Sequence, residues 1–227
     1  DSYDYDVFYK VVPGLTYEMC QNNTMTDTVR DDFAYAIKFL DREKGVNAIT
    51  GDCGFMMYYQ KFIREHPLTA CPIFMSALAH LPTVTAAFGD DESIMIMTAN
   101  GKTLNPMINL IKEECSIEIS NERFKIVGCE TVSGFEAVAN GEKVNVKEVT
   151  PGIVKLAEEK IEESLKTDKP IRAILLECTE LPPYSDAIRH ATTARCVCVC
   201  MCSSVGRGDR RAAARMCLAL NAYRECV

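Results

Sequence analysis

Tryptophan is missing from the 227 residues, histidine occurs only three times, and no apolar run reaches the roughly 18 residues that a membrane-spanning helix needs. The three histidines, His66, His80 and His190, are scattered without metal-ligand spacing, so they read as surface or packing residues. An excess of positive charge is also absent. Lys and Arg number 25 against 32 Asp and Glu, a net charge of -7, which argues against the basic surface that a phosphate backbone requires. The opening DSYDYDVFYK is acidic and strand-like, unlike a secretory leader. These absences exclude nucleic acid and membrane as expected partners. What the chain has in quantity is cysteine, twelve in all, several of them inside strand-like or helix-like runs. That placement favours reduced thiols over a disulfide framework, and with it an intracellular, reducing compartment such as cytoplasm or plastid.

Short apolar runs closed by Gly, Pro, Asn or an acid predict strands at 6–13, 46–50, 71–77, 93–99, 124–129 and 171–177. Helical patterns lie between them. TDTVRDDFAYAIKFLDREK sets Val29, Phe33, Ala36, Ile37 and Leu40 on one face, with Thr26 as N-cap and Gly45 as C-cap. TPGIVKLAEEKIEESLKTDKP does the same with Ile153, Leu156, Ile161 and Leu165, ending before Pro170. Strands alternating with helices predict an α/β fold with parallel sheets flanked by helices.

An internal echo divides the chain. VNAIT runs into GDCGF and a helix, and IRAILL runs into ECTEL and another helix. In each case a cysteine follows an acid at the end of an apolar strand. Two pseudo-symmetric lobes with one such cysteine each are the economical reading, with the first lobe at 1–94, the second at 95–194 and a tail at 195–227. Strand C-termini and the helix starts that follow them are where open α/β sheets bind ligands. If the lobes face each other, Cys53 and Cys178 flank one small molecule, and amides near Gly54, Phe55, Thr179 and Glu180 can hold its carboxylate. One thiolate then removes a proton from the carbon beside the carboxylate, and the other thiol serves as acid. The bland alternative is a pair of unrelated core thiols.

GDCGF together with ECTELPPYSDAIR resembles the aspartate/glutamate racemase superfamily, whose members carry two facing catalytic cysteines. More narrowly, YKVVPGLTYEMCQ, ITGDCGFMMYYQKF, MTANGKTL, GCETVSGFEAVANGEKV and LLECTELPPYSDAIR resemble the algal and dinoflagellate dimethylsulfoniopropionate lyases, the Alma family, over residues 3 to about 193. The resemblance implies a racemase-like fold and a cofactor-independent, metal-free elimination that yields dimethyl sulfide and acrylate. By position it gives Cys53 and Cys178 the acid and base roles, without saying which is which. It also implies a ligand-facing role for the loop with Thr98 and Asn100. The substrate's sulfonium is a cation, for which Phe55, Tyr58, Tyr59 or Tyr184 can offer a ring face. A homo-oligomer is compatible with this reading. The alternatives are a cofactor-independent racemase of a small carboxylic or amino acid, which would use the same two cysteines, and an inactive truncated paralogue.

The family pattern also implies a further strand ahead of residue 1 and an apolar strand and helix after Thr193. From Arg195 onward the sequence instead holds six Arg, no Lys, two acids and half of all the cysteines. In CVCVCMC the alternate thiols of a strand stand about 6.5–7 Å apart, too far for four sulfurs to meet on one zinc. The tail therefore reads as divergent or foreign to the fold, the alternative being that it supplies a strand in place of the expected one and completes the first lobe. Its end, GRGDRRAAARMCLALNAYRE, has the spacing of a short amphipathic helix through Met216, Leu218, Leu220 and Tyr223.

Overall fold

The computed structural model describes residues 6–65, 69–119, 122–192 and 216–218. The chain forms two compact units, one from residues 1–76 with 201–227 and the other from residues 77–200. Each carries a parallel sheet with helices around it, as the alternation of elements predicts. Residues 77–94, grouped with the first lobe on the sequence, make their contacts in the second unit. There the Arg123 guanidinium donates to the Thr85 and Phe88 carbonyls and pairs with Asp90 at 2.6 Å.

In the first unit, α1 (Tyr17–Asn22) and α2 (Asp27–Lys38) precede a three-stranded sheet. Thr26 caps α2, its hydroxyl accepting from the Val29 amide at 3.3 Å, and the helix widens into a π-turn, Phe39–Glu43, before Gly45 turns the chain at φ +60°. Phe33, Ala36, Ile37 and Leu40 are fully buried, as their spacing predicts. Each large apolar side chain among them contributes about 1.5–3 kcal/mol by leaving water. Strand β1 (Ala48–Thr50) pairs in parallel with β2 (Ile73–Phe74), and a 3-10 turn, Gly54–Tyr59, leads into α3 (Gln60–Glu65) between them. The Gln60 side chain holds this crossover to β2, donating to the Ile73 carbonyl and accepting from the Met75 amide.

Two local expectations fail here. Residues 6–13 form no strand, only an isolated bridge at Val7. Their contacts are made by side chains instead: Lys10 lies over the Tyr35 and Phe39 rings, and Val12 is buried. Met216–Leu218 belongs to no helix. It is strand β6, parallel to β1, with Ala48 opposite Met216 and Thr50 opposite Leu218, giving the sheet order β2-β1-β6. Ladder bonds to a neighbouring strand override the local helical spacing. The CVCVCMC run lies outside the described residues.

The second unit holds α4 (Leu81–Ala86), β3 (Ser93–Thr98), α5 (Gly101–Leu104), α6 (Ile108–Cys115), β4 (Phe124–Gly128), α7 (Val146–Ser164), β5 (Ile171–Leu176) and α8 (Ser185–Ala191). Its sheet order is β4-β3-β5, all parallel. Central β3 is buried at every position, which is why SIMIMT is apolar without alternation. Met95, Met97 and Ala99 share a core with Ile153, Ala157 and Ile161 of α7 and Ile188 of α8. Leu165 departs from its predicted place. It lies just past the end of α7 and is 58% exposed, whereas Ser164 turns inward and accepts from the Ile171 amide at 2.9 Å. Among the described residues no helix is long and apolar enough to cross a membrane.

Candidate active site

Both acid-cysteine pairs lie where a parallel strand ends. At the end of β1, Gly51 is required by close approach: a Cβ there would stand 2.4 Å from the Met75 carbonyl oxygen. That contact brings the β1 and β2 tips together and releases Asp52 and Cys53 into the turn. Cys53 is extended, at φ -153° and ψ 133°, and its carbonyl accepts from the Met56 amide at 3.0 Å, starting the 3-10 turn. The thiol is half-buried, whereas Gly54 and Phe55 behind it are buried. Phe55 packs edge-on against Tyr17, with ring centroids 6.1 Å apart. Tyr59 donates to the Met19 carbonyl at 2.9 Å, and burial together with Cys20 and Cys53 pushes its phenol up. This tip therefore offers one partly open thiol backed by a packed aromatic wall.

The second tip is built from three strands. The Glu177 amide donates to the Met97 carbonyl at 2.8 Å, and the Cys129 amide donates to the Thr98 carbonyl at 2.9 Å, so the ends of β5, β3 and β4 are level. Alternation along the strands then sorts the side chains. Leu176 and Cys178 join Met97, Ala99 and Cys129 on the α7–α8 face, while Thr98 and Glu177 take the other. Gly128 is the close-approach residue here, since a Cβ would meet the Gly101 amide at 2.4 Å and the Glu130 carboxylate. That carboxylate accepts from the Gly101 amide at 3.1 Å at the start of α5. Asn100 caps the same helix, its Oδ1 accepting from Lys102 and Thr103, so only its amide nitrogen is left for a ligand. After Cys178 the chain turns at once, with the Leu181 amide donating to the Cys178 carbonyl, and Thr179 lies on this turn. Tyr184 is wholly buried against Phe135, ring centroids 6.3 Å apart, with no hydrogen-bond partner for its hydroxyl among the described residues.

The electrostatics of this tip are one-sided. Burial, then Glu177, Glu180 and Cys129, hold the Cys178 thiol well above its ordinary range, and only the Glu180 amide works in the other direction. Burial pushes Cys129 up to about 12 and Tyr184 up to about 12. Glu177, 1% exposed, is pushed by burial up to about 7. Cys129 did not emerge as a site residue from the sequence, although GCE after β4 repeats the strand-tip pairing of a thiol with an acid. A groove of about 630 Å³ runs along β4, lined by Phe124, Ile126, Leu156 and Lys160 among others, and none of the candidate residues lines it.

These observations define a class: an α/β protein with parallel sheets, in which a thiol beside an acid ends a sheet strand in each of two units. No family model matches the sequence. It is 56% identical over 191 residues to dimethylsulfoniopropionate lyase 6 of Emiliania huxleyi (strain CCMP1516), covering 84% of this chain and 49% of that protein. Identity to the dimethylsulfoniopropionate lyase of Durusdinium sp. clade D is 47% over 192 residues, 85% of this chain and 62% of the relative. By sequence the chain is similar to these lyases over most of its own length. It spans about half the length of the first of them. Among solved structures, glutamate racemase from Francisella tularensis subsp. tularensis SCHU S4, in complex with D-glutamate, aligns with a TM-score of 0.49 and 14% identity, over 85% of this chain and 65% of the other.

Proposed function

We propose that this protein cleaves dimethylsulfoniopropionate to dimethyl sulfide and acrylate, with Cys53 and Cys178 as its acid/base thiols. The observation that carries the reading is the 56% identity to a protein of that activity, over a stretch that includes both strand-tip thiols. In the reaction a thiolate takes the proton α to the carboxylate. The C–H electron pair becomes the new double bond, and the β-carbon–sulfur bond breaks with its pair going to sulfur. Dimethyl sulfide leaves neutral, so the leaving group needs no proton. The second thiol then serves by donating a hydrogen bond to the charge that develops on the substrate carboxylate. Thr98, Asn100, Thr179 and Tyr184 are the further substrate contacts at the second tip, and Gly54 and Phe55 those at the first.

The thiols of Cys20, Cys71, Cys115, Cys129 and Cys178, in no disulfide among the described residues, support a reducing compartment. The net charge of -7 supports a small anion-bearing substrate over a polyanionic partner only in that the site must supply its own local donors. Headspace gas chromatography after adding dimethylsulfoniopropionate to the purified, folded chain tests the proposal. Dimethyl sulfide and acrylate in equal amounts are the expected result. Turnover of a small carboxylic or amino acid to its enantiomer, with no sulfide released, would overturn it.

A further inference from the structure

A carboxyl group that is only 1% exposed normally meets a cation, yet neither oxygen of Glu177 has a hydrogen-bond partner among the described residues. The Thr98 hydroxyl, level with it on β3 and on the same face of the sheet, is also buried and without a geometric partner. Burial is the main influence on this carboxyl, and the Thr98 hydroxyl beside it is the only other. The neighbours of Cys178 repeat the pattern. Glu177 precedes it, Glu180 follows it, Cys129 stands at the tip of β4 and Tyr184 lies beyond the turn. On the packed helices, Lys102 of α5 is exposed and Arg189 of α8 is paired with Asp186. A fold that only needed to fill this space would use an apolar residue at 177, at no cost in buried charge.

We propose that Glu177 is a positioning residue for Cys178: the carboxyl and the thiol at the tip of β5 hold a single negative charge between them, the protonated carboxyl permitting a thiolate and the carboxylate enforcing a thiol. The two groups sit on successive residues, on opposite faces of the strand tip, the carboxyl sealed from water and the thiol half-buried. Charges on such neighbours titrate as a pair, and adding the second is opposed by the first. The inference deepens the lyase reading by naming what sets the state of one of its thiols, and the thiol's reactivity, which decides it, is read without the lyase substrate.

The experiment is alkylation of Cys178 by iodoacetamide from pH 6 to 9.5, followed by mass spectrometry of the peptide that contains it, in the wild type and in Glu177→Gln. A unit charge on the adjacent residue, at an effective dielectric constant of about 20, shifts its neighbour by about one pH unit or more. The two proteins should therefore react alike at pH 6, and Glu177→Gln about ten-fold faster at pH 8.5. The wild-type rate should flatten as pH rises through about 7, where Glu177 ionises, and the variant should lack that break. Glu177→Asp, which keeps the charge, should follow the wild-type profile. Superimposable profiles for wild type and Glu177→Gln overturn the proposal, as does a slower variant. If Glu177→Gln fails to fold by circular dichroism, the wild type decides by itself: a break near pH 7 supports the coupling and an unbroken line overturns it. Dimethyl sulfide release measured in parallel separates the two readings, because its absence beside an intact break removes the lyase activity and leaves the coupling.

Discussion

The two strand tips share a formula and differ in what surrounds it. After β1, Asp52 and Cys53 are both half-buried, and the turn leads into a wall of packed aromatics. After β5, the acid is sealed within a three-strand core and the thiol beside it is ringed by groups that carry or can take negative charge. The strands explain the contrast. β1 is three residues long, partly exposed at its start, while β5 buries five of its six residues and docks on a central strand that is buried throughout. The same tripeptide idea, strand end, acid and thiol, thus gives a half-buried thiol at both tips, beside a half-buried acid in one unit and a sealed one in the other.

The largest effect that can break this comparison is catalytic. Cys53→Ala and Cys178→Ala should each lower dimethyl sulfide release by about 10³-fold or more, since groups acting as a unit fail together. Near-normal turnover by either would leave the tips unequal in function as well as in setting. Cys20→Ala, Cys71→Ala and Cys115→Ala should change the melting temperature at most.

Next comes the folding energy of the tips. Gly51→Ala would set a Cβ 2.4 Å from the Met75 carbonyl oxygen, and about 2–4 kcal/mol should be lost in urea denaturation. Gly101→Ala, whose added Cβ meets the Gly128 backbone nitrogen at 3.2 Å, should cost about 1 kcal/mol or less because a small shift relieves it. Equal losses would show that the start of α5 has no more room for a methyl group than the end of β1.

Glu177 gives the comparison a pH dependence. Its carboxyl is raised from 4.5 to about 7 in the folded protein, so below about 4.5 both folded and unfolded chains hold the proton and the group has no effect. Between about 4.5 and 7 the folded chain holds more protons than the unfolded one, so stability falls as pH rises, and above about 7 the loss is complete. A shift of this size corresponds to about 3 kcal/mol. Urea midpoints at pH 4.5 and 8 should thus fall further for the wild type than for Glu177→Gln. Parallel behaviour of the two would mean that the carboxyl finds a partner on folding. The smallest effect is expected of Tyr184→Phe. Its hydroxyl has no partner among the described residues, so removal should move the melting temperature by a degree or two, while a raised KM would mark a contact with substrate.

Much of this was legible in the sequence because it depends on neighbours along the chain. Periodicity located α2 through Phe33, Ile37 and Leu40, and the apolar run SIMIMT announced a strand buried on both faces. The repeated strand-acid-cysteine order located both tips. Local pattern could not place residues 6–13 or 216–218 because a strand needs a partner: the first segment has the composition of a strand and no ladder, and the second has helical spacing that leaves its state open and a ladder with β1. Leu165 was misplaced because helix α7 ends one residue too early to turn it inward.

The sequence by itself determined the class of fold and the likeness to the lyases, and it marked the two strand-tip thiols, since each is written in local pattern and motif. Only the tertiary structure decided what Glu177 is. On the sequence it is one of 32 acids, and nothing in ECTEL distinguishes a solvated carboxylate from a buried one. The β3–β5 register sets it level with Thr98, and alternation turns it to the face away from Cys178. Its ionisation is then governed by the loss of water, and burial of that kind is a property of the assembled core that no single segment carries.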